Sequence, residues 1–143
     1  MIFQARGLFV FYQNNIRMKK HIINTPNAPA PIGPYSQAVQ VGNTLYVSGQ
    51  VAFDPATGDL ILDTIPNETK RVMENLKAIL TEANATFDNV VMTSIFLSDM
   101  NNFAAVNEVY GAYFKRDFPA RATVAVKTLP KNVNVEISVI ASL

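Results

Sequence analysis

Arg121 and Glu136 are the side chains of this 143-residue chain whose types and positions best suit chemistry on a small organic acid. Arg121 follows Pro119 and Ala120 at the start of an extended run, and its guanidinium group can offer a carboxylate two parallel, charge-assisted hydrogen bonds. Glu136 lies in the last extended run, where a carboxylate could hold a water molecule or move a proton. If these two runs pair as strands, an anion-binding group would lie close to a proton-transfer group.

Purely structural roles fit the same residues. Arg121 alone is typical of a surface or ion-pairing arginine, and Glu136 could form a salt bridge with Arg121 or Lys127. Asn107 could reach a site from its helix, although an isolated helix asparagine is usually solvated. These alternatives remain open from spacing alone.

Three aromatic side chains could line a pocket, namely Tyr35, Phe103 and Tyr110. For the two that lie in a predicted helix, packing in the core is the stronger interpretation. Tyr35 follows Gly33 and Pro34 in a loop, so core packing explains this residue less well and a role at a site is favoured.

Composition excludes several kinds of site. The absence of cysteine excludes disulfides, thiolate nucleophiles and cysteine-ligated zinc. A metal site or a serine-histidine-acid triad would depend on the single histidine, His21, which we expect to lie on the surface. We therefore expect no metal site. The formal net charge of +1 gives no general attraction to nucleic acid or to an anionic membrane, so neither is expected as a partner.

The spacing of apolar residues predicts one α+β domain in which a mixed sheet carries two helices on one face. Four prolines between residues 26 and 34 make the preceding stretch an extended surface run. Gly42-Asn43 and Pro130-Lys131-Asn132 predict turns between neighbouring strands. In chain order the predicted elements are strands 37–41 and 44–53, helix 66–83, strand 90–97, a helix that begins near 103 and ends before 118, and strands 121–129 and 133–143.

Residues 1–17 form an N-terminal extension before the domain at 18–143. Their apolar cluster, residues 7–12, is too short to span a bilayer, and no small-residue cleavage site follows it. Arg6 and Arg17, without any acid, fit a mitochondrial targeting segment, whereas Met18-Lys19-Lys20 would be a natural translation start. We favour an over-extended start, and expect a cytoplasmic protein, or a mitochondrial one if the targeting interpretation holds.

Five ordered motifs in residues 18–143 closely resemble the RidA/YjgF family, and together they are highly specific. They are Ile32-Gly33-Pro34-Tyr35-Ser36-Gln37-Ala38, Tyr46-Val47-Ser48-Gly49-Gln50, Phe118-Pro119-Ala120-Arg121, Leu129-Pro130 and Val135-Glu136-Ile137. The segment from Asp99 to Tyr110 also looks like the family's second helix.

The resemblance implies a chorismate-mutase-like α+β fold assembled as a homotrimer, with a site in each cleft between subunits. An excess of apolar side chains, including Val124, Val126 and Val139, agrees with burial by oligomerisation. In the deaminase branch of the family, the arginine that matches Arg121 binds the substrate carboxylate and the glutamate that matches Glu136 helps to position the attacking water.

Further site positions follow from the same resemblance. Tyr35, Ser48, Gly49 and Asn107 match substrate-binding positions, and Thr123 matches a position whose backbone carbonyl takes part in catalysis. Many relatives have cysteine where this chain has Thr123. Because the implied role belongs to the main chain, the change puts thiol-dependent regulation in doubt more than hydrolysis.

The implied activity is hydrolytic deamination of 2-iminobutanoate and 2-iminopropanoate to 2-oxo acids and ammonia, which removes imines that damage other enzymes. Pyridoxal-phosphate enzymes release these compounds, and the resemblance implies no cofactor for their hydrolysis. A non-catalytic module that binds small carboxylates is the alternative. Ribonuclease or translation-inhibiting activity is a third hypothesis, which the near-neutral charge and the lack of a basic aromatic motif disfavour.

Overall fold

The computed structural model describes residues 19–143, which form a six-stranded sheet and two α-helices. The predicted α+β architecture is confirmed. The elements are β1 (Lys20–Ile23), β2 (Ala38–Val41), β3 (Thr44–Gln50), α1 (Ile65–Glu82), β4 (Val90–Leu97), α2 (Phe103–Gly111), β5 (Ala120–Ala125) and β6 (Val135–Ser142).

The strands lie in the order β1-β2-β3-β6-β4-β5, so the sheet is mixed. β4 and β5 are parallel neighbours, and α2 supplies the crossover connection that parallel strands require. The other neighbouring pairs are antiparallel. Between β2 and β3 the predicted turn is present, with Gly42 at a φ of 58°, a left-handed conformation that costs glycine little.

One face of the sheet, which we call the helix face, packs against both helices. Alternate residues of the central strands point into this core, including Leu45 and Ile137, which are fully buried. From α1 the predicted apolar side chains are also 0% exposed, including Leu76 and Ile79. The prediction that both helices cover one face is therefore correct.

The opposite, open face carries no helix in the described part of the chain. Tyr46 of β3, Ile140 of β6 and Met92 of β4 lie side by side across it. Tyr46 is 49% exposed and Val124 of β5 is 46% exposed. Val139, by contrast, is buried in the core and does not contribute to the apolar surplus expected from the sequence.

Glu68 ties the first turn of α1 to the start of β6. Its side chain is 0% exposed, and its carboxylate accepts hydrogen bonds from the backbone N–H of Asn134 at 2.7 Å, the Asn134 amide at 2.9 Å and the Val135 N–H at 3.0 Å. These three donors compensate the burial of a charged group. The helix is thereby held at a defined position along the strand.

The expected pairing of the last two strands is wrong. β5 pairs with β4, and β4 separates it from β6. The turn at residues 130–132 does not join a hairpin, because β5 ends at Ala125 and the intervening residues leave the sheet. The spacing of two extended runs cannot identify which strand each run will pair with.

β1 was not predicted, and the signals that mark a strand are weak in it. It has four residues, of which Lys20, His21 and Ile22 are exposed, so no alternation distinguishes it from the following loop. It is held as an edge strand by backbone pairing with β2. The exposure of His21 confirms the prediction that this histidine lies on the surface.

The expectations for residues 1–17 fall outside the described residues. Within residues 19–143 no helix combines the length and apolarity needed to cross a bilayer.

Candidate functional site

Arg121 lies on the helix face, at the start of β5. Its partner across the parallel ladder is Thr93, whose side chain points into the core. The guanidinium carbon lies 5.6 Å from the ring centroid of Phe103 and 5.2 Å from that of Tyr110, both in α2. Asn107, one turn along the same helix, accepts a hydrogen bond from Arg121 Nη1 at 2.7 Å. α2 therefore orients the guanidinium group through one hydrogen bond and two cation-π contacts.

The Tyr110 ring is a rigid part of this support. It is 3% exposed, and its hydroxyl donates a hydrogen bond to Thr93 Oγ1 at 3.1 Å. Burial raises the pKa of the Tyr110 hydroxyl, while the Thr93 hydrogen bond and the Arg121 charge act in the opposite direction. Tyr110 confirms the core-packing interpretation, whereas Phe103 is 37% exposed and does not.

The Arg121 side chain borders a surface depression of about 430 Å³. The other residues of this depression, which we call the arginine depression, are Asn107, Tyr110, Gly111, Phe118 and Pro119. Within residues 19–143 the ion pairs are Lys77 with Glu74 and Arg116 with Asp117. No carboxylate of these residues therefore lies within 4.0 Å of the Arg121 guanidinium group. The site therefore presents an oriented cation to solvent.

Glu136 lies on the open face, in the middle of the sheet. It faces Phe96 of β4 in the antiparallel register, and its side chain lies against the backbone of Gly49. Burial raises the pKa of the Glu136 carboxyl group. A carboxyl group with a raised pKa is suited to accept or donate a proton nearer neutral pH than an exposed glutamate.

Glu136 borders a second depression, of about 320 Å³, on the open face. Tyr35, Ser48 and Gly49 line this glutamate depression with it. Its remaining lining residues come from the proline-rich loop, the end of β3 and the turn before β6: Pro29, Ala30, Ile32, Gln50, Val51, Phe53, Pro130 and Lys131.

Ser48 and Gln37 hold the walls of the glutamate depression. Ser48 Oγ donates a hydrogen bond to the Ser36 carbonyl at 2.6 Å, so within the described chain its hydroxyl fixes the loop. The buried Gln37 amide accepts from the Thr25 N–H at 2.7 Å and donates to the carbonyls of Thr25 at 3.0 Å and Pro29 at 2.9 Å. Sequence reasoning noticed Gln37 only as part of a motif, because its type alone does not reveal which loop its amide would bind.

Tyr35 is 48% exposed at the rim of the glutamate depression, as its loop position suggested. Its hydroxyl accepts a hydrogen bond from the Ile32 N–H at 3.3 Å. Lys131, another lining residue, was not predicted as a site residue. It adopts a φ of 59° and gave no signal in the sequence beyond its place in a turn.

Thr123 lies two residues after Arg121 in β5, beside Ile95 of β4 and on the helix face. Its Oγ1 atom is buried and has no hydrogen-bond partner among residues 19–143. The side chain does not border either depression.

Apart from Thr123, the predicted site residues thus form two separate groups within one chain. Arg121 and Asn107 belong to the arginine depression, and Tyr35, Ser48, Gly49 and Glu136 belong to the glutamate depression. The expectation that Arg121 and Glu136 lie close together through pairing of their strands is wrong, because β4 lies between these strands and the two side chains point to opposite faces.

Comparisons with known proteins identify the relatives of this chain. A family model described as Endoribonuclease L-PSP matches residues 25–143. A RutC family protein of Pyrococcus abyssi is 51% identical over 124 residues, which cover 87% of this chain and 98% of that protein. The 2-iminobutanoate/2-iminopropanoate deaminase of Mus musculus is 49% identical over 122 residues, covering 85% of this chain and 90% of the enzyme.

A solved structure agrees with these matches. The crystal structure of RidA from the Antarctic bacterium Psychrobacter sp. PAMC 21119 superposes with a TM-score of 0.83 at 44% identity. The superposition covers 86% of this chain and 99% of that one. The similarity therefore extends over nearly the whole described fold.

Proposed function

Because the chain belongs to the Endoribonuclease L-PSP family, which includes RidA and YjgF, we propose that it hydrolyses the C=N bond of imines derived from small 2-amino acids. The products are a 2-oxo acid and ammonia. The name of the mouse relative, 2-iminobutanoate/2-iminopropanoate deaminase, supports the reaction and the size of the substrate.

The oriented guanidinium group of Arg121 is the observation that carries this proposal. Asn107 accepts a hydrogen bond from one of its nitrogens, two aromatic rings support it, and the rest of the group faces a depression. A guanidinium group held in this way can form two parallel hydrogen bonds to a carboxylate, which orient the ligand better than the single point charge of a lysine would. The carboxylate of a 2-imino acid is such a ligand.

In the proposed reaction, Arg121 anchors the carboxylate and Glu136 of a neighbouring subunit holds the attacking water. The water oxygen forms a bond to the imine carbon while the C=N π electrons move to nitrogen, and Glu136 takes the proton that the water loses. Glu136 passes this proton to nitrogen, which gives the neutral carbinolamine. Glu136 then takes the proton of the carbinolamine hydroxyl and delivers it to the amino nitrogen, and the C–N bond breaks as the C=O bond forms, so that ammonia leaves as a neutral molecule. Orientation and one positioned acid-base group supply the catalysis.

A second subunit is part of the proposal because one subunit separates Arg121 from Glu136. The exposed apolar residues of the open face support association, since Tyr46 and Val124 are about half exposed there. A closed homotrimer, the assembly implied by the family resemblance, would bring the arginine depression of one copy against the glutamate depression of the next. The carbonyl of Thr123 is the remaining proposed contact for the imine or its water.

A coupled assay with a threonine dehydratase tests the proposal. The dehydratase generates iminobutanoate, and semicarbazide traps whatever has not been hydrolysed. We expect the protein to lower the trapped fraction and Arg121→Ala to abolish this effect. Arg116→Ala is the matched control, because Arg116 is an exposed arginine outside both depressions. Unchanged hydrolysis by Arg121→Ala would reject the proposal.

The separation of the two groups also supports a second candidate, a module that binds small carboxylates without turnover. A subunit that offers Arg121 without Glu136 could bind an acid but would lack the proton acceptor. Calorimetry that shows Arg121-dependent binding of 2-oxobutanoate, together with no acceleration of imine hydrolysis, would select this candidate over the deaminase.

A further inference from the structure

The feature that carries a further inference is the contact between Gly49 and Glu136. A β-carbon placed on Gly49 would lie 2.8 Å from Glu136 Cδ and 3.0 Å from Cγ, and closer still to Oε1. Real β-carbons do not approach other heavy atoms so closely. The carboxyl group of Glu136 therefore occupies the space that a side chain at position 49 would fill.

This contact lies at a bulge in β3. Val47 faces Val139 and Gln50 faces Ile137, so three steps along β3 match two steps along β6. The extra residue lies in the segment of Ser48 and Gly49, where the ladder between β3 and β6 is interrupted. The close approach and the bulge therefore occur at the same residues.

A glycine is needed at position 49 because a side chain there would meet Glu136, and not because the backbone adopts a conformation that only glycine tolerates. Among the described residues, the glycines with a left-handed φ are Gly42 and Gly58. Gly49 is outside that group, so an alanine could adopt its backbone dihedral angles without the steric cost of a positive φ. Glu136 is the neighbour that excludes a larger residue.

We propose that Gly49 is a positioning residue whose missing side chain lets Glu136 lay its carboxyl group on the β3 backbone, directed at the reacting water. This inference rests on the proposed function, because it assigns Glu136 a role in hydrolysis. It adds that the missing side chain of Gly49 sets the place of the carboxyl group, besides the substrate-binding position that the resemblance implies for Gly49.

The backbone at the bulge is held more firmly than the Glu136 side chain. The Ser48 N–H donates to the Gln37 carbonyl at 3.0 Å, and Ser48 Oγ donates to the Ser36 carbonyl at 2.6 Å. From the other side, Gln50 Nε2 donates to the carbonyl of Ser48 at 3.2 Å. A methyl group at position 49 therefore displaces the flexible glutamate side chain and leaves the bulge in place.

Gly49→Ala tests this inference in two backgrounds. In the wild-type background we expect it to lower kcat for imine hydrolysis on the order of 10- to 100-fold, the effect of moving a reacting group by about 1 Å. In the Glu136→Gln background, where the acid is already absent, we expect a much smaller loss of kcat. The thermal unfolding temperature of Gly49→Ala should match that of the wild-type protein, because the Glu136 side chain moves aside while the backbone of β3 stays in place.

The pH dependence of kcat gives a second readout. A carboxyl group pushed from its half-buried position toward water loses part of the desolvation that raises its pKa. The acidic limb of the Gly49→Ala profile should therefore move to lower pH. A purely structural role for Gly49 would not shift this limb.

The outcomes separate this inference from the proposed function. Wild-type hydrolysis by Glu136→Gln would remove the role of Glu136 and the inference with it. If Glu136→Gln is impaired, an equal loss from Gly49→Ala in both backgrounds, or an unimpaired Gly49→Ala, overturns the inference alone. A Gly49→Ala variant that does not fold also contradicts it, because the glutamate side chain should yield first.

Discussion

Arg121 and Glu136 lie on opposite faces of one sheet, separated by β4. Arg121 faces Thr93 of β4 and shares the helix face with it, whereas Glu136 faces Phe96, which points to the open face. Side chains of neighbouring residues in a strand alternate between the two faces, so no rotamer change in a single subunit can bring these two groups together. A reaction that uses both requires contributions from two copies of the chain.

Mixing two impaired variants should therefore restore activity. Arg121→Ala retains Glu136, and Glu136→Gln retains Arg121, so a site between one subunit of each kind can contain both groups. If subunits exchange at random in an equal mixture, about one quarter of the sites will be intact. We expect Arg121→Ala alone to be inactive and Glu136→Gln alone to retain only a low residual rate. The mixture, after unfolding and refolding together, should recover about that fraction of the wild-type rate of 2-oxo acid release.

The control for this experiment is the same mixture without refolding, measured at once. It should remain inactive if subunits exchange slowly, and activity should grow with exchange. A co-refolded mixture that stays inactive, although mixed oligomers are detected by mass spectrometry, would contradict a site shared between subunits.

Asn107 should tune the affinity of Arg121 for a carboxylate. Asn107→Ala removes the hydrogen bond at 2.7 Å that orients the guanidinium group, and the loss of one such bond corresponds to an increase in KM of about tenfold. Asn107→Asp should raise KM further, because the new carboxylate competes with the substrate for the same cation. Steady-state kinetics on iminobutanoate measure both, and an Asn107→Asp variant with unchanged KM would exclude Arg121 as the anchor.

The rate of hydrolysis should fall at acidic pH with a midpoint above that of an ordinary glutamate. Burial raises the pKa of Glu136, and its ionised form is the one that accepts a proton from water. Activity is therefore present above the raised pKa and lost as pH falls through it. The acidic limb should disappear in Glu136→Gln, whose residual rate should be flat in the same range, and a limb that survives this substitution would assign it to another group.

The same pKa shift predicts the sign of a stability difference. Burial in the folded protein favours the neutral form of the Glu136 carboxyl group. Its favourable contribution to the free energy of unfolding is therefore present below the pKa of the unfolded state and is lost as pH rises through the higher pKa of the folded state. Glutamine stays neutral throughout. Glu136→Gln should therefore gain free energy of unfolding relative to the wild-type protein as pH rises above the ordinary glutamate pKa of about 4.3, measured with urea at one protein concentration. A constant difference would contradict the burial effect.

Glu68 should be one of the most sensitive positions for stability. Glu68→Ala leaves the N–H groups of Asn134 and Val135 without their acceptor, which should lower the free energy of unfolding by about 2–4 kcal/mol. Glu68→Gln keeps one acceptor oxygen and should lose less. Urea unfolding measures both, with the exposed Glu82→Ala in the same helix as a control that should change little. Equal stability of Glu68→Ala and Glu82→Ala would contradict this role.

Local patterns determined most of the elements of this fold. The β-branched and aromatic run at 90–97 corresponds to β4, and the apolar spacing that includes Leu76 and Ile79 corresponds to the buried side of α1. Both signals depend on neighbours within a few residues, because strand and helix periodicity are properties of the local backbone. The ordered motifs that contain Arg121 and Glu136 likewise identified the family from sequence alone.

The tertiary structure decided which of these residues meet. The sequence placed Arg121 and Glu136 in two consecutive extended runs, yet the structure inserts β4 between them and divides the candidate site into two depressions. It also decided that Glu68 is buried against β6 and that the Glu136 carboxyl group lies on Gly49. Strand order and register depend on which distant segments bury the most apolar surface together, and side-chain spacing within one segment carries no information about that choice.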